Sequence, residues 1–228
     1  MTTYSSASDV DCSASLNARE ALIGEVRRGL LRRPRSLAPW MFYDADGSRL
    51  FDRITQLPEY YPTSVERNIL TSCADPIIAL ARADKSQSVR LLELGAGTAS
   101  KTDVLLHAIV RMQGGMVYVP IDISPDALDI ARERIAARMP DVCVEPILAN
   151  YVTHPPQIEP FNGTTLAICI GSSIGNFVPG EARTILRNLK SQLQAGDALL
   201  LGTDLAKDES TLVAAPMMTE MALRRNST

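Results

Sequence analysis

From residue 84 onward the chain alternates short apolar, β-rich runs with helical ones, and this alternation constrains the fold more than any other feature. Strands are predicted over 89–94, 117–122, 142–148, 165–170 and 198–203, with helices over 100–112, 125–138 and 180–194. Such runs argue for parallel βαβ units covered by helices on both faces. The expected fold class is therefore α/β, an open doubly wound sheet. Ligands of such a sheet sit at the carboxyl ends of the strands, near the switch in strand order.

Upstream the texture is helical. Residues 1–14 are Ser/Thr/Asp-rich with few large apolar groups and are expected to be disordered. Leu22, Ile23, Val26, Leu30 and Leu31 recur at helical spacing, which predicts a surface helix over 16–31 stopped by Pro34. A D-A-D-G turn at 44–47, a short helix over 48–57 and a helix starting at Thr63 follow. Glu66 stands three residues after Thr63, the capping-box spacing.

Charge and cysteine usage exclude several classes of function. With 23 Lys+Arg against 26 Asp+Glu, the net charge of −3 offers no basic surface for nucleic acid. The longest apolar stretches fall far short of the ~20 residues a spanning helix needs, so no membrane partner is expected. Cys12, Cys73, Cys143 and Cys169 show no C-x-x-C spacing, and no metal site is encoded. Cys143 and Cys169 lie in β-like runs and read as buried, reduced thiols. The N-terminus lacks the basic start and apolar core of a signal peptide, and a cytoplasmic location is expected. His107 and His154, the two histidines, read as ordinary surface or helix residues.

The strongest local signal is LLELGAGTASKT at 91–102, a strand entering Gly95 and Gly97 and then a helix. Glycine at both positions permits the tight turn and lets backbone N–H groups approach a ligand. YVPIDIS places Asp122 at the carboxyl end of the second strand, where a carboxylate takes both hydroxyls of a ribose. Together these describe a nucleoside site. A dinucleotide fingerprint would want a third glycine where Ser100 stands, so the E-L-G-x-G-T form favours S-adenosylmethionine instead.

FYDADGSRLFDRITQLPEYYPTSVERNIL (42–70), LLELGAGTASKT (91–102), GSSIGNF (171–177) and LLLGTDLAKD (199–208) resemble the histidine-specific, S-adenosylmethionine-dependent methyltransferases. Members of that family make trimethylhistidine, hercynine, in ergothioneine biosynthesis, and the likeness runs from about Ser15 to Ala215. It implies a Rossmann-like class I methyltransferase sheet over 84–215, with 15–83 as a helical segment contributing to the substrate pocket. It further implies that Gly95, Gly97 and Lys101 contact the methyl donor S-adenosyl-L-methionine, Asp122 its ribose, and Asn150 with Tyr151 its adenine. Tyr43, Tyr60 and Asn176 would line the pocket for L-histidine, with Asn176 near the amino acid's α-amino and carboxylate groups. A monomer is expected. Family members usually carry Asp where Asn150 stands; the Asn carbonyl still accepts from an adenine amine, but the charge-assisted part is lost, so weaker donor binding is expected.

Methyl transfer from a sulfonium is an in-line displacement on a neutral amine, so such a site contributes orientation and electrostatics. No catalytic base is assigned from the residues. The expected sheet lacks its C-terminal strands, because only about 25 residues follow 203, and the fifth strand is expected to be an exposed edge. Pro216 to Thr228 can be back-translated and reread in another frame as a segment resembling the family's continuation, so 216–228 is expected to be an out-of-frame tail. On that expectation the alternatives to histidine Nα-methylation are an inactive remnant that at most binds the donor, or methylation of a related small amine.

Overall fold

β1 (Val89–Leu94) is buried at every residue, the mark of a strand covered on both faces. It lies at the centre of the sheet in the computed structural model, which describes residues 22–42, 45–57, 60–82, 86–152, 155–206 and 208. On one side β1 pairs in parallel with β2 (Met116–Asp122), Leu91 opposite Tyr118; on the other it pairs with β5 (Thr164–Cys169), Leu91 opposite Leu166. β3 (Val142–Val144) and β4 (Ile147–Leu148) both pair with β2, and β6 (Ala198–Leu201) pairs with β5. The order is β3-β2-β1-β5-β6, with β4 beside the end of β2. The chain thus steps outward from β1 in one direction and then crosses back to β5, so strand order reverses between β1 and β5. That is the position where doubly wound sheets open a ligand crevice.

Side-chain alternation sorts the core into two layers. Leu91, Tyr118, Leu166 and Ile168 face α3 (Tyr61–Ala81), α4 (Asp103–Gln113) and α5 (Pro125–Arg138). Leu92, Val119, Ile121, Ala167 and Cys169 face the opposite way, onto Ile185 and Leu189 of α6 (Pro179–Lys190). α3 presents Leu70, Ala74, Ile78 and Ala81 as one buried stripe. α5 coincides with its expected span because Ser124 caps it, accepting from Ala127 N–H at 3.3 Å, and Pro125 opens its first turn.

Several expectations are corrected. From Ala45 onward the D-A-D-G stretch is helical rather than a turn, Asp44 lying outside the described residues: α2 (Ala45–Ile54) begins there, with Asp46 in the first turn where a carboxylate suits the helix dipole. α3 begins at Tyr61 rather than Thr63, Pro62 being tolerated in a first turn whose N–H groups need no helical partner, and no capping box forms. The strand expected over 142–148 is broken into β3 and β4 at Glu145 and Pro146, since Pro146 has no N–H for the ladder. α4 starts at Asp103, after Ala99 adopts a positive φ of 54°, so Lys101 precedes the helix instead of sitting in it. Cys143 is exposed, because β3 is an edge strand whose neighbours Val142 and Val144 take the inward face, whereas Cys169 is buried as expected.

Two units are distinguished along the chain, meeting between Phe42 and Tyr43. In the first, helix α1 runs over 22–31 with Leu22, Ile23, Leu30 and Leu31 exposed, and Ser36 N–H donates to the Gly29 carbonyl at 3.1 Å. A 3-10 turn follows at Pro39–Phe42. Among the described residues no helix is long and apolar enough to cross a membrane, and β6 pairs with β5 alone, leaving Leu199 and Leu201 partly exposed. Residues 1–14, 216–228 and His154 lie outside the described residues, while His107 is exposed on α4 as expected.

Candidate functional site

The loop after β1 is tied to the end of β2 by backbone. Gly95 N–H donates to the Ile121 carbonyl at 2.8 Å, and Ala96 N–H to the same oxygen at 3.3 Å. Gly95 (φ 69°) and Gly97 (φ 53°) both occupy the left-handed region that a Cβ disfavours. At Gly95 a second constraint applies: a Cβ there would lie 3.0 Å from the Tyr151 hydroxyl. The backbone is bare where the Tyr151 ring approaches it, an opening that any side chain at 95 would fill.

Asp122 is buried at the end of β2, its side-chain oxygens shared between two backbone donors. Oδ2 accepts from Gly97 N–H at 2.7 Å and Oδ1 from Ser124 N–H at 3.0 Å. A carboxylate has roughly four lone-pair sites, so two remain for hydroxyl donors while the backbone bonds fix its orientation. Asn150 lies beyond β4, and its Oδ1 accepts from Val152 N–H at 3.1 Å. Gly95, Gly97, Asp122, Asn150 and Tyr151 thus belong to the loops that close the carboxyl ends of β1, β2 and β4.

Beneath the glycine loop lies a buried polar cluster that the sequence reading did not single out. Glu93, 2% exposed, accepts at one oxygen from Thr102 Oγ1 at 2.7 Å and from the fully buried Tyr118 hydroxyl at 2.5 Å. Burial pushes the Glu93 carboxyl up to about 7 against the pull of those two donors and of the Lys101 charge. Burial and the neighbouring Glu93 together push the Tyr118 phenol upward. Asp52 of α2 is bonded to Thr98 in the same loop, and burial raises its pKa as well.

On the β5 side of the switch the site is held by charge. Glu66 of α3 accepts from Lys101 Nζ at 2.6 Å through Oε2 and from Gly171 N–H at 2.7 Å through Oε1. Tyr61 donates its hydroxyl to Asp204 Oδ2 at 2.8 Å, joining the start of α3 to the segment after β6. These residues wall a cavity of about 260 Å³ together with Phe51, Tyr60 and Ser172. Its charged lining is Glu66, Asp204 and Lys101, two carboxylates against one ammonium.

The structure therefore brings Tyr60 and Lys101 to one cavity, with the glycine loop and Asp122 at the adjoining strand ends. Asn176 closes the 3-10 turn Ser173–Asn176 after β5, is solvent-exposed, and is not part of the cavity wall. Tyr43 lies outside the described residues. Glu66 and Asp204 were missed. The T-x-x-E spacing predicts a cap, whereas the carboxylate reaches across to residues 35 and 105 positions away. No local pattern announces such a contact.

A cradle bared of Cβ atoms and an oriented, buried carboxylate one strand away fit the nucleoside and amino-acid parts of S-adenosylmethionine. Among solved structures, magnesium protoporphyrin IX methyltransferase from Synechocystis PCC 6803 with bound SAM superimposes with a TM-score of 0.50 at 14% identity, covering 78% of this chain and 82% of that one. The fold is thus that of the class I methyltransferases. Histidine N-alpha-methyltransferase of Mycolicibacterium smegmatis is 43% identical over 202 residues, 89% of this chain and 61% of that protein. The protein of the same description from Mycobacterium tuberculosis is 40% identical over 195 residues, 86% and 59% of the two chains. The chain spans about three fifths of the length of these curated relatives. Residues 22–222 match the family described as histidine-specific methyltransferase, SAM-dependent. With most of its length inside that match, the chain belongs to the histidine-specific, S-adenosylmethionine-dependent methyltransferase family.

Proposed function

We propose that the protein transfers methyl groups from S-adenosylmethionine to the α-amine of L-histidine, in three rounds, giving trimethylhistidine. The observation that carries the reading is the meeting, at the β1/β5 reversal, of a donor-type glycine loop and carboxylate with a small cavity of net negative lining. A cavity of about 260 Å³ is of metabolite size, and with Glu66 and Lys101 neutralising each other the carboxylate of Asp204 suits the ammonium end of an amino acid. The 43% and 40% identical relatives, named for this reaction, support the same substrate.

Gly95, Gly97 and Lys101 would hold the donor, Asp122 its ribose, and Asn150 with Tyr151 its adenine. When bound, S-adenosylmethionine supplies a methyl group on a positively charged sulfur. The chain's own part is orientation and electrostatics. An α-amine with a pKa near ~8 in peptides is largely protonated at neutral pH, so each round needs a proton accepted before attack. Tyr60, Tyr61 and Asp204 supply hydroxyl and carboxylate oxygens in the cavity wall that orient an ammonium and then the free amine. Asn176, on the exposed turn outside this cavity wall, enters the proposal through the family resemblance alone, as does Tyr43.

The test is to incubate the purified full chain with methyl-labelled donor and histidine and to identify products by mass. Trimethylhistidine with the mono- and dimethyl species as precursors is expected. Product from another amine alone would overturn the substrate, and donor binding without any product would overturn catalysis by this chain.

A further inference from the structure

Glu66 stands where α3 meets three loops of the sheet's carboxyl edge. One oxygen is given to Lys101 Nζ and the other to Gly171 N–H, with the two charged side chains 17% and 18% exposed. Space for the carboxylate is made by missing side chains. A Cβ on Gly202 would lie 2.4 Å from Glu66 Oε1 and 3.2 Å from Ile170 Cα. A Cβ on Gly171, whose φ is 79°, would lie 2.9 Å from Lys101 Nζ. The residues after β1, β5 and β6 thus converge on a single carboxylate.

Neither helix capping nor stability accounts for this arrangement. The N-terminus of α3 has no side-chain cap, so Glu66 does not serve its own helix. A mostly buried ion pair gains little net stability once both charges are desolvated. What the pair does achieve is to immobilise a lysine: free, that ammonium sits on a flexible four-carbon stem with many rotamers. Bound to Glu66, Nζ becomes a fixed positive point in the cavity wall beside the glycine loop.

We propose that Glu66 is a positioning residue that fixes the Lys101 ammonium and the Gly171 backbone in the geometry that receives the carboxylate end of the methyl donor. The inference rests on reading the strand edge as a donor site. Glu66 acts through Lys101, so the consequence of losing it falls on donor recognition and not on the amino-acid substrate.

The test measures binding of S-adenosylhomocysteine by calorimetry for the full-length parent, Glu66→Gln, Lys101→Met and the double variant, with donor and histidine KM and kcat alongside. Each single variant should weaken binding and raise the donor KM about tenfold, the loss of one charge-assisted contact, with the histidine KM within about twofold. The double variant should be no weaker than either single, because an unclamped lysine has nothing further to lose. Gly202→Ala keeps the charge but pushes the carboxylate aside, and should weaken donor binding in the same direction even if Glu66→Gln folds poorly. Additive losses, or a fall in kcat with the donor KM unchanged, would overturn the positioning role. A parent that binds no donor product overturns the donor-site reading itself, which the variants' behaviour relative to the parent does not.

Discussion

Replacing Glu93 by glutamine should change how stability depends on pH. In the unfolded chain a glutamate releases its proton near its ordinary value of 4.5, whereas burial holds the folded carboxyl at about 7. Between those values the native state binds a proton that the unfolded state has lost, so the contribution of protonated Glu93 is complete below 4.5, declines as pH rises, and is gone above about 7. The decline is about 1.4 kcal/mol per pH unit, or about 3 kcal/mol over the interval. Glutamine keeps the shape and an oxygen to accept from Thr102 and Tyr118, and removes the titration. Its amide N–H groups add a buried donor cost of about 1–3 kcal/mol, but that cost is the same at every pH. Urea unfolding of parent and variant from pH 4.5 to 8 therefore isolates the effect as a difference of differences, in which all other titrating groups cancel. With a urea slope of about 2 kcal/mol/M, the parent midpoint should fall by roughly 1.5 M relative to the variant across that range. Parallel curves for the two proteins would refute the reasoning, because they would mean Glu93 ionises in the folded chain as it does in the unfolded one.

Gly95→Ala should cost about 1 kcal/mol of stability from the positive φ alone and, with its Cβ 3.0 Å from the Tyr151 hydroxyl, should weaken donor-product binding more than tenfold by calorimetry. Asn150→Asp should tighten donor binding about three- to tenfold, since a charge-assisted bond to an adenine amine is about twice as strong as a neutral one; unchanged affinity would remove Asn150 from the adenine site.

Where a structural signal is local, the sequence carried it. β1 was legible to the residue because Val89, Leu91, Leu92 and Leu94 crowd into a short run that ends at the Gly95 turn, despite the buried Arg90 and Glu93 within it, and α5 because Ser124 and Pro125 mark its start. Gly95, Gly97 and Asp122 were legible because a strand-to-helix turn and a strand end locate them without knowledge of packing. Pro146 was visible too, yet β3 and β4 were read as one strand, the apolar run having outweighed the missing N–H. Glu66 is the instructive failure: its spacing from Thr63 satisfies a local rule, and the partner that wins is fixed only by tertiary structure. Cys143 failed for a related reason, since composition reports a β-run but not which strand lies at the edge.

The Glu66 contacts also bear on the order in which the protein acquires its capacity to bind. Gly171 and Glu66 are 105 residues apart, and they meet only after β5 has docked beside β1. Closing so long a segment of chain is slow relative to forming helices and adjacent βα units. A half-folded chain holding α3 and β1 to β4 would therefore own the glycine loop, Asp122 and the Glu66–Lys101 pair, but not the Gly171 contact that completes the clamp on Glu66. The geometry of the clamp is thereby complete only in the finished sheet, and free ligand draws the folding equilibrium toward the state that binds it best.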